Sequence, residues 1–146
     1  MKKLLLSLAI VALICVSRPM SARKKSKKVV LPKAAMQFIN THYSGEKISH
    51  IEWDTDATSA KYEVKLANGD EVTFDANGQW TEVETAANAM IPRTILPDTV
   101  YKYIAFKYPK LNIVEANTNT VGYKVELSNG VELIFSSTGK FIRKNK

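Results

Sequence analysis

The sequence predicts an α+β fold: a tandem duplication of one helix plus a four-stranded antiparallel sheet, with both helices on one face of a joint curved sheet. Three observations predict it: an internal repeat, two helical-period segments opened by Leu-Pro, and strand-like alternation broken by turn glycines. Leu31-Pro32 opens LPKAAMQFINTHY, and Leu96-Pro97 opens LPDTVYKYIAFKY. Further on, Tyr62 to Trp80 reads YEVKLANGDEVTFDANGQW, and Tyr123 to Phe141 reads YKVELSNGVELIFSSTGKF. Matching order at so many positions is not a chance pattern.

The elements follow in order. The first residues read as a secretory leader, residues 1–22: Lys2-Lys3, an apolar stretch from Leu4 to about Val16, then small residues ending at Ala22, with Ser17 as the other cleavage position. The apolar stretch is shorter than the roughly 20 residues that cross a hydrocarbon core. Cys15 raises lipidation, which Ile14 opposes where a lipoprotein leader needs a small residue. Residues 23–30 form a basic segment carrying Arg23, Lys24, Lys25, Lys27 and Lys28. It either lacks a role or attracts an anionic surface. Residues 31–84 make the first unit, 85–95 a connection, and 96–146 the second unit.

Pro32 and Pro97 suit the first helical position, where a missing N–H costs nothing. Ala35, Phe38, Ile39 and Tyr43 share one helical face, as do Val100, Tyr103, Ile104 and Tyr108. Gly45 and Pro109 end the helices. First strands are expected at Ile48 to Trp53 and Ile113 to Ala116. Tyr62, Val64 and Leu66 alternate with Glu63 and Lys65, and Val72 and Phe74 with Glu71, Thr73 and Asp75. Asn68-Gly69, Asn77-Gly78, Asn129-Gly130 and Thr138-Gly139 mark reversals, and last strands run near Gln79 to Val83 and Lys140 to Arg143. A unit of roughly 50 residues without a disulfide is too small for comfortable stability, so the units are expected to share one core.

These motifs resemble the PepSY-like proteins of the bacterial envelope, also described as beta-lactamase-inhibitor-like. The motifs are Leu-Pro at each helix, Tyr-x-Val-x-Leu-x-Asn-Gly, and Phe-x-x-x-Gly, spanning Val29 to Arg143. The resemblance implies periplasmic or secreted location and binding or inhibition of other proteins. It offers no catalytic residue to carry over.

Composition excludes several functions. The formal charge is +7, yet the excess lies before Val29; from there on, 13 basic residues face 14 acidic ones. A nucleic-acid face is therefore not expected, nor a membrane span in the mature chain. With Cys15 inside the leader, no thiol chemistry is expected. No HExxH, P-loop, GxGxxG or GxSxG pattern occurs. His42 ends a helix, and His50 shares a strand face with Glu52 and Asp54 but has no second imidazole, so a solvated strand edge is expected there rather than a metal site. Asp54, Thr55, Asp56 and Thr58 lack the glycine and distal glutamate of a calcium loop. No enzyme activity, metal or cofactor is expected.

The expected function is non-enzymatic binding of a cell-envelope protein, as inhibitor or modulator, through the open sheet face; the alternative is a small-ligand or metal-sensing periplasmic domain. That face carries Glu63, Lys65, Glu71 and Thr73, then Lys124, Glu126, Glu132 and Ile134, a pattern that also suits a plain solvated surface. Trp80 and Phe141 depend on register. A two-residue turn at Asn77-Gly78 pairs Asp75 with Trp80 and points both outward; a three-residue loop pairs Phe74 with Trp80 and buries it. Trp53, opposite in phase to Ile48, poses the same question. The candidate partner-binding residues are Trp53, Thr73, Trp80, Ile134 and Phe141.

Overall fold

In the computed structural model, residues 28–55 and 61–145 are described. The leader, with its cleavage positions and Cys15, therefore lies outside the described residues, as do Asp56 and Thr58. The elements run α1 (Lys33–His42), β1 (Ile48–Asp54), β2 (Lys61–Leu66), β3 (Glu71–Asp75) and β4 (Trp80–Glu84). After a 3-10 turn at Ala86–Asn88 come α2 (Asp98–Lys107), β5 (Ile113–Thr118), β6 (Gly122–Leu127), β7 (Glu132–Ser136) and β8 (Phe141–Lys144). All eight strands form one antiparallel sheet in sequence order.

Both helices begin one residue later than expected. Pro32 and Pro97 keep ψ near 150° and 141°, extended values, and the Pro32 carbonyl accepts the Met36 amide. Proline's fixed φ suits the flanking position as well as the first turn. At the other ends, the amides of Tyr43 and Tyr108 close the last turns on the carbonyls of Ile39 and Ile104.

Hairpin register settles which face each side chain takes. The amide of Asp75 donates to the Gln79 carbonyl, and that of Gly78 to the Asp75 carbonyl. Gly78 has φ +83°, so the loop has three residues, with glycine in the left-handed position that closes it. Phe74 consequently pairs with Trp80, and in the second hairpin Phe135 pairs with Phe141. Register shifts fall at matching places, between Thr73 and Phe74 and between Ile134 and Phe135.

One cluster of buried side chains gathers both helices and all the central strands. Ala35 and Ile39 from α1, and Val100 and Ile104 from α2, join Val64, Val72, Phe74, Val83, Ala116, Val125, Leu133 and Phe135. Phe38 meets Phe74 edge-on at 5.5 Å, and Tyr103 meets Phe135 with the same geometry at 5.5 Å. Ile91, fully buried, ties the connection to β5 through its amide and the Ile113 carbonyl. Each such apolar side chain contributes on the order of 2 kcal/mol by leaving water.

The β3–β4 turn touches the start of α1. A Cβ on Gly78 would fall 2.8 Å from Pro32 Cβ and 3.0 Å from the Ala35 amide nitrogen, whereas Gly130, at φ +82°, faces open space. Gly130→Ala should therefore cost about 1 kcal/mol from backbone strain alone. Gly78→Ala should cost roughly 1–2 kcal/mol more in urea denaturation, because helix and turn must separate. Equal losses would contradict this contact.

Candidate functional site

The strand residues that alternate with the core form two continuous rows across the sheet. One runs His50, Lys65, Glu71, Glu84, Glu115, Glu126, Glu132, each directly opposite the next. The other runs Glu52, Glu63, Thr73, Glu82, Asn117, Lys124, Ile134, Arg143. Like charges at directly opposed strand positions repel. Five glutamates on five successive strands, Glu71 to Glu132, are such an arrangement.

Cations offset part of the charge on this face. Lys65 pairs with Glu71 at 2.5 Å, and Lys61 with Glu63 at 2.6 Å. Lys124 lies 3.0 Å from Glu132 and 3.8 Å from Glu115. Asn117 donates to the Glu115 carboxylate at 2.7 Å, and Asn145 to Glu132 at 3.0 Å. Burial pushes the Glu115 carboxyl above the ordinary value of 4.5; Lys124 opposes this, while Glu82, Glu126 and Glu84 add to it. Hydrogen bonds from Asn145 and Lys124 hold Glu132 below that value. Beside Glu115 lies a hollow of about 290 Å³ lined by Glu84, Thr85, Ala87, Val114, Glu115 and Glu126.

Of the candidate binding residues, Thr73 and Ile134 lie on this charged face, in one row. Ile134 is only 9% exposed, seated between Lys124 and Arg143, so it is no protruding anchor. Placement of the other three on the open face is corrected. Trp80 lies 5.9 Å from the Phe38 ring and Phe141 stacks on Tyr103 at 4.6 Å, both on the core side, because the three-residue loops set that register. Trp53 pairs with Tyr62, their rings 4.2 Å apart, in phase with Val64. The sequence reading missed Glu82, Glu84 and Glu115. Their alternation with Val83 and Ala116 was visible, but their alignment needs the β4–β5 pairing.

The other titratable groups have local roles. His42 holds Thr94 Oγ1 at 2.7 Å, and burial lowers its pKa. Burial pushes Tyr101 up to about 12, with its hydroxyl donating to the Pro92 carbonyl, and raises Tyr43 further. Among the described residues, no three His, Cys, Asp or Glu side chains are grouped to hold a metal ion, and His50 stands on the rim of a smaller hollow with Glu52, Glu63 and Glu71. No described helix is long and apolar enough to cross a membrane.

The comparisons agree on family. The model for "Putative beta-lactamase-inhibitor-like, PepSY-like" proteins matches residues 21–66 and 60–143. A Bacteroides vulgatus structure described as a "putative periplasmic protein of unknown function" is 33% identical, covering 80% of this chain and 92% of that one, with TM-score 0.72. A Bacteroides thetaiotaomicron structure described as a "putative calcium-regulated periplasmic protein" is 32% identical, with coverage of 80% and 91% and TM-score 0.72. A second Bacteroides vulgatus periplasmic protein is 33% identical, with coverage of 80% and 91% and TM-score 0.68. No curated protein matches the chain. The periplasmic or secreted location expected from the leader agrees with these descriptions.

The ion pairs give a pH signature. Glu132, with its pKa lowered on folding, contributes stability that is present above pH 4.5 and lost as pH falls through its folded value. Lys124→Gln should lower the thermal midpoint by roughly 2–4 °C at pH 7. The same substitution should matter progressively less as pH falls through the folded value of Glu132 and its carboxylate takes up a proton. A pH-independent loss in calorimetry would show that Lys124 acts through packing instead.

Proposed function

Because this chain belongs to the PepSY-like, beta-lactamase-inhibitor-like family, we propose that it is a non-enzymatic periplasmic binding protein. It modulates another envelope protein through the open face of its sheet. The observation that carries this reading is the face of two aligned rows rich in charge, with glutamates directly opposed on the five successive strands β3 to β7. A surface this regular offers many fixed charges at strand spacing, which suits orientation and partner choice more than chemistry. The family description is inhibitor-like rather than enzymatic.

The same reading treats the two halves, residues 31–84 and 96–146, as copies of one unit whose helices share a face. Support comes from the matched contacts of Phe38 with Phe74 and Trp80, and of Tyr103 with Phe135 and Phe141. The matched register shifts support it too. Thr73 and Ile134 then mark corresponding positions of the binding face, while Trp53, Trp80 and Phe141 act from the core side by fixing the strands beneath it.

The mature chain, used as bait in a periplasmic extract, should retain a discrete protein partner. Thr73→Arg, an exposed-face change that leaves the core untouched, should weaken that capture at least about tenfold, as a misplaced charge at an interface does. Unchanged capture by a folded Thr73→Arg chain would remove the open face from the account.

A second reading, ion sensing, is favoured by the name of the calcium-regulated relative. Binding to the folded state alone would raise the thermal midpoint. The protein-binding account expects the same midpoint in millimolar calcium as in chelator. A calcium-dependent rise would favour ion sensing instead.

A further inference from the structure

The two free edges of the sheet match the two strands that meet in its middle. β8 is laid out like β4, and β1 like β5. Lys144 opposes Leu133 as Val83 opposes Val72, and Ile51 opposes Val64 as Ala116 opposes Val125. The register shifts match too, between Ile48 and His50 and between Ile113 and Glu115. Yet β4 and β5 pair with each other, whereas β1 and β8 are the outermost strands. The Asn145 amide donates to the Glu132 carbonyl, so Lys144, the neighbouring residue, turns its own backbone groups outward. A strand edge of this kind is a template for another strand.

We propose that β8 of one chain pairs antiparallel with β1 of a second copy, in the register of the β4–β5 seam, so that chains associate head to tail. At the seam the opposed pairs are Glu82 with Asn117, Val83 with Ala116 and Glu84 with Glu115. Their counterparts at the edges are Arg143 with Glu52, Lys144 with Ile51 and Asn145 with His50. Charge favours the exchange. An Arg–Glu pair stands where the seam has Glu82 and Asn117, and an amide–imidazole pair replaces two opposed glutamates, which repel. Arg143, Glu52 and His50 are all exposed. The Arg143 guanidinium donates to Asn145 Oδ1 and retains further donors for a carboxylate. Charge also selects the partner strand. β1 carries Glu52 and Asp54, whereas β8 carries Arg143 and Lys144 just after Lys140. Two copies of the same edge repel, and unlike edges attract.

Lys144 limits the strength of the contact. It holds the position that the fully buried Val83 fills at the seam. Keeping its ammonium in water, with the stem laid along Ile51 of the second copy, buries less than valine does. Inward-facing charge is one device by which sheet edges restrain pairing. Association is therefore weak and salt-sensitive, because exposed charges are screened within about 10 Å at 0.1 M salt. A head-to-tail contact repeats instead of closing on two copies. It also continues both rows of the charged face from one copy into the next. The inference stands apart from the binding role proposed above, since it needs only the two strand edges.

Sedimentation equilibrium of the exported chain at low salt, up to about 0.5 mM, reaches contacts this weak. The mean mass should rise with concentration and pass that of a dimer. Arg143→Glu and Glu52→Arg should each weaken association at least about tenfold. An equimolar mixture of the two variants should restore it, because each then offers the edge that the other lacks. Lys144→Val should tighten association at least about tenfold by extending the buried apolar contact. A natural chain that stays monomeric throughout would overturn the proposal. So would association that stops at the dimer, or that ignores both charge reversals. Thr73→Arg should leave the mass unchanged, so a failure here is distinct from a failure of the capture experiment.

Discussion

The pairing of β4 with β5 is the contact on which the rest of the molecule depends. Each half has one helix and four strands, too little buried surface for a chain without disulfides to hold comfortably by itself. The two halves meet through Val83 opposite Ala116, both fully buried, and through the Thr85 amide donating to the Val114 carbonyl. That seam turns two small sheets into one of eight strands and lets Ile91, Val100 and Tyr101 close the core between the helices. It also forces Glu84 against Glu115 on the other face. The stabilising contact and the electrostatic conflict thus share one pair of strands.

That coincidence links fold to function. A sheet selected only for stability would not align Glu71, Glu84, Glu115, Glu126 and Glu132, since cross-strand repulsion costs a few tenths of a kcal/mol or more at each step. Lys65 and Lys124 relieve the ends, and Asn117 and Asn145 hold two of the carboxylates in place. At the centre, Glu115 has only the more distant Lys124, at 3.8 Å. Beside Ala87, the hollow lined by Glu84, Glu115 and Glu126 lies over this part of the row. The aromatic side chains contribute from beneath: Trp80 and Tyr123 stack at 6.3 Å across the two halves, stiffening the sheet whose upper surface carries the charges.

Much of this was legible from residues alone. The Leu-Pro helix openings, the Tyr-x-Val-x-Leu alternation and the turn glycines placed the eight strands and both helices within about two residues of their positions. Short-range patterns carry that information because alternation and positive φ are local properties. The face of Trp80 was not legible. It depends on whether the loop after Asp75 holds two residues or three, and Asn77-Gly78 is compatible with both. The Asp75 side chain, accepting the amides of Asn77 and Gln79, stabilises the longer loop. The glutamate row was hidden for another reason. Glu84 and Glu115 are far apart in the chain, and nothing local says which strand of the second half lies beside β4.

Native-state hydrogen exchange across the β4–β5 seam tests the central claim, that the halves are one cooperative sheet, most directly. The account predicts that the Thr85 amide, bonded to Val114 across the seam, exchanges only through global unfolding, as slowly as the amides of Val72 in β3 and Val125 in β6. Exchange at Thr85 that is orders of magnitude faster, while Val72 and Val125 stay protected, would mean that the halves separate freely and that the continuous charged face does not persist.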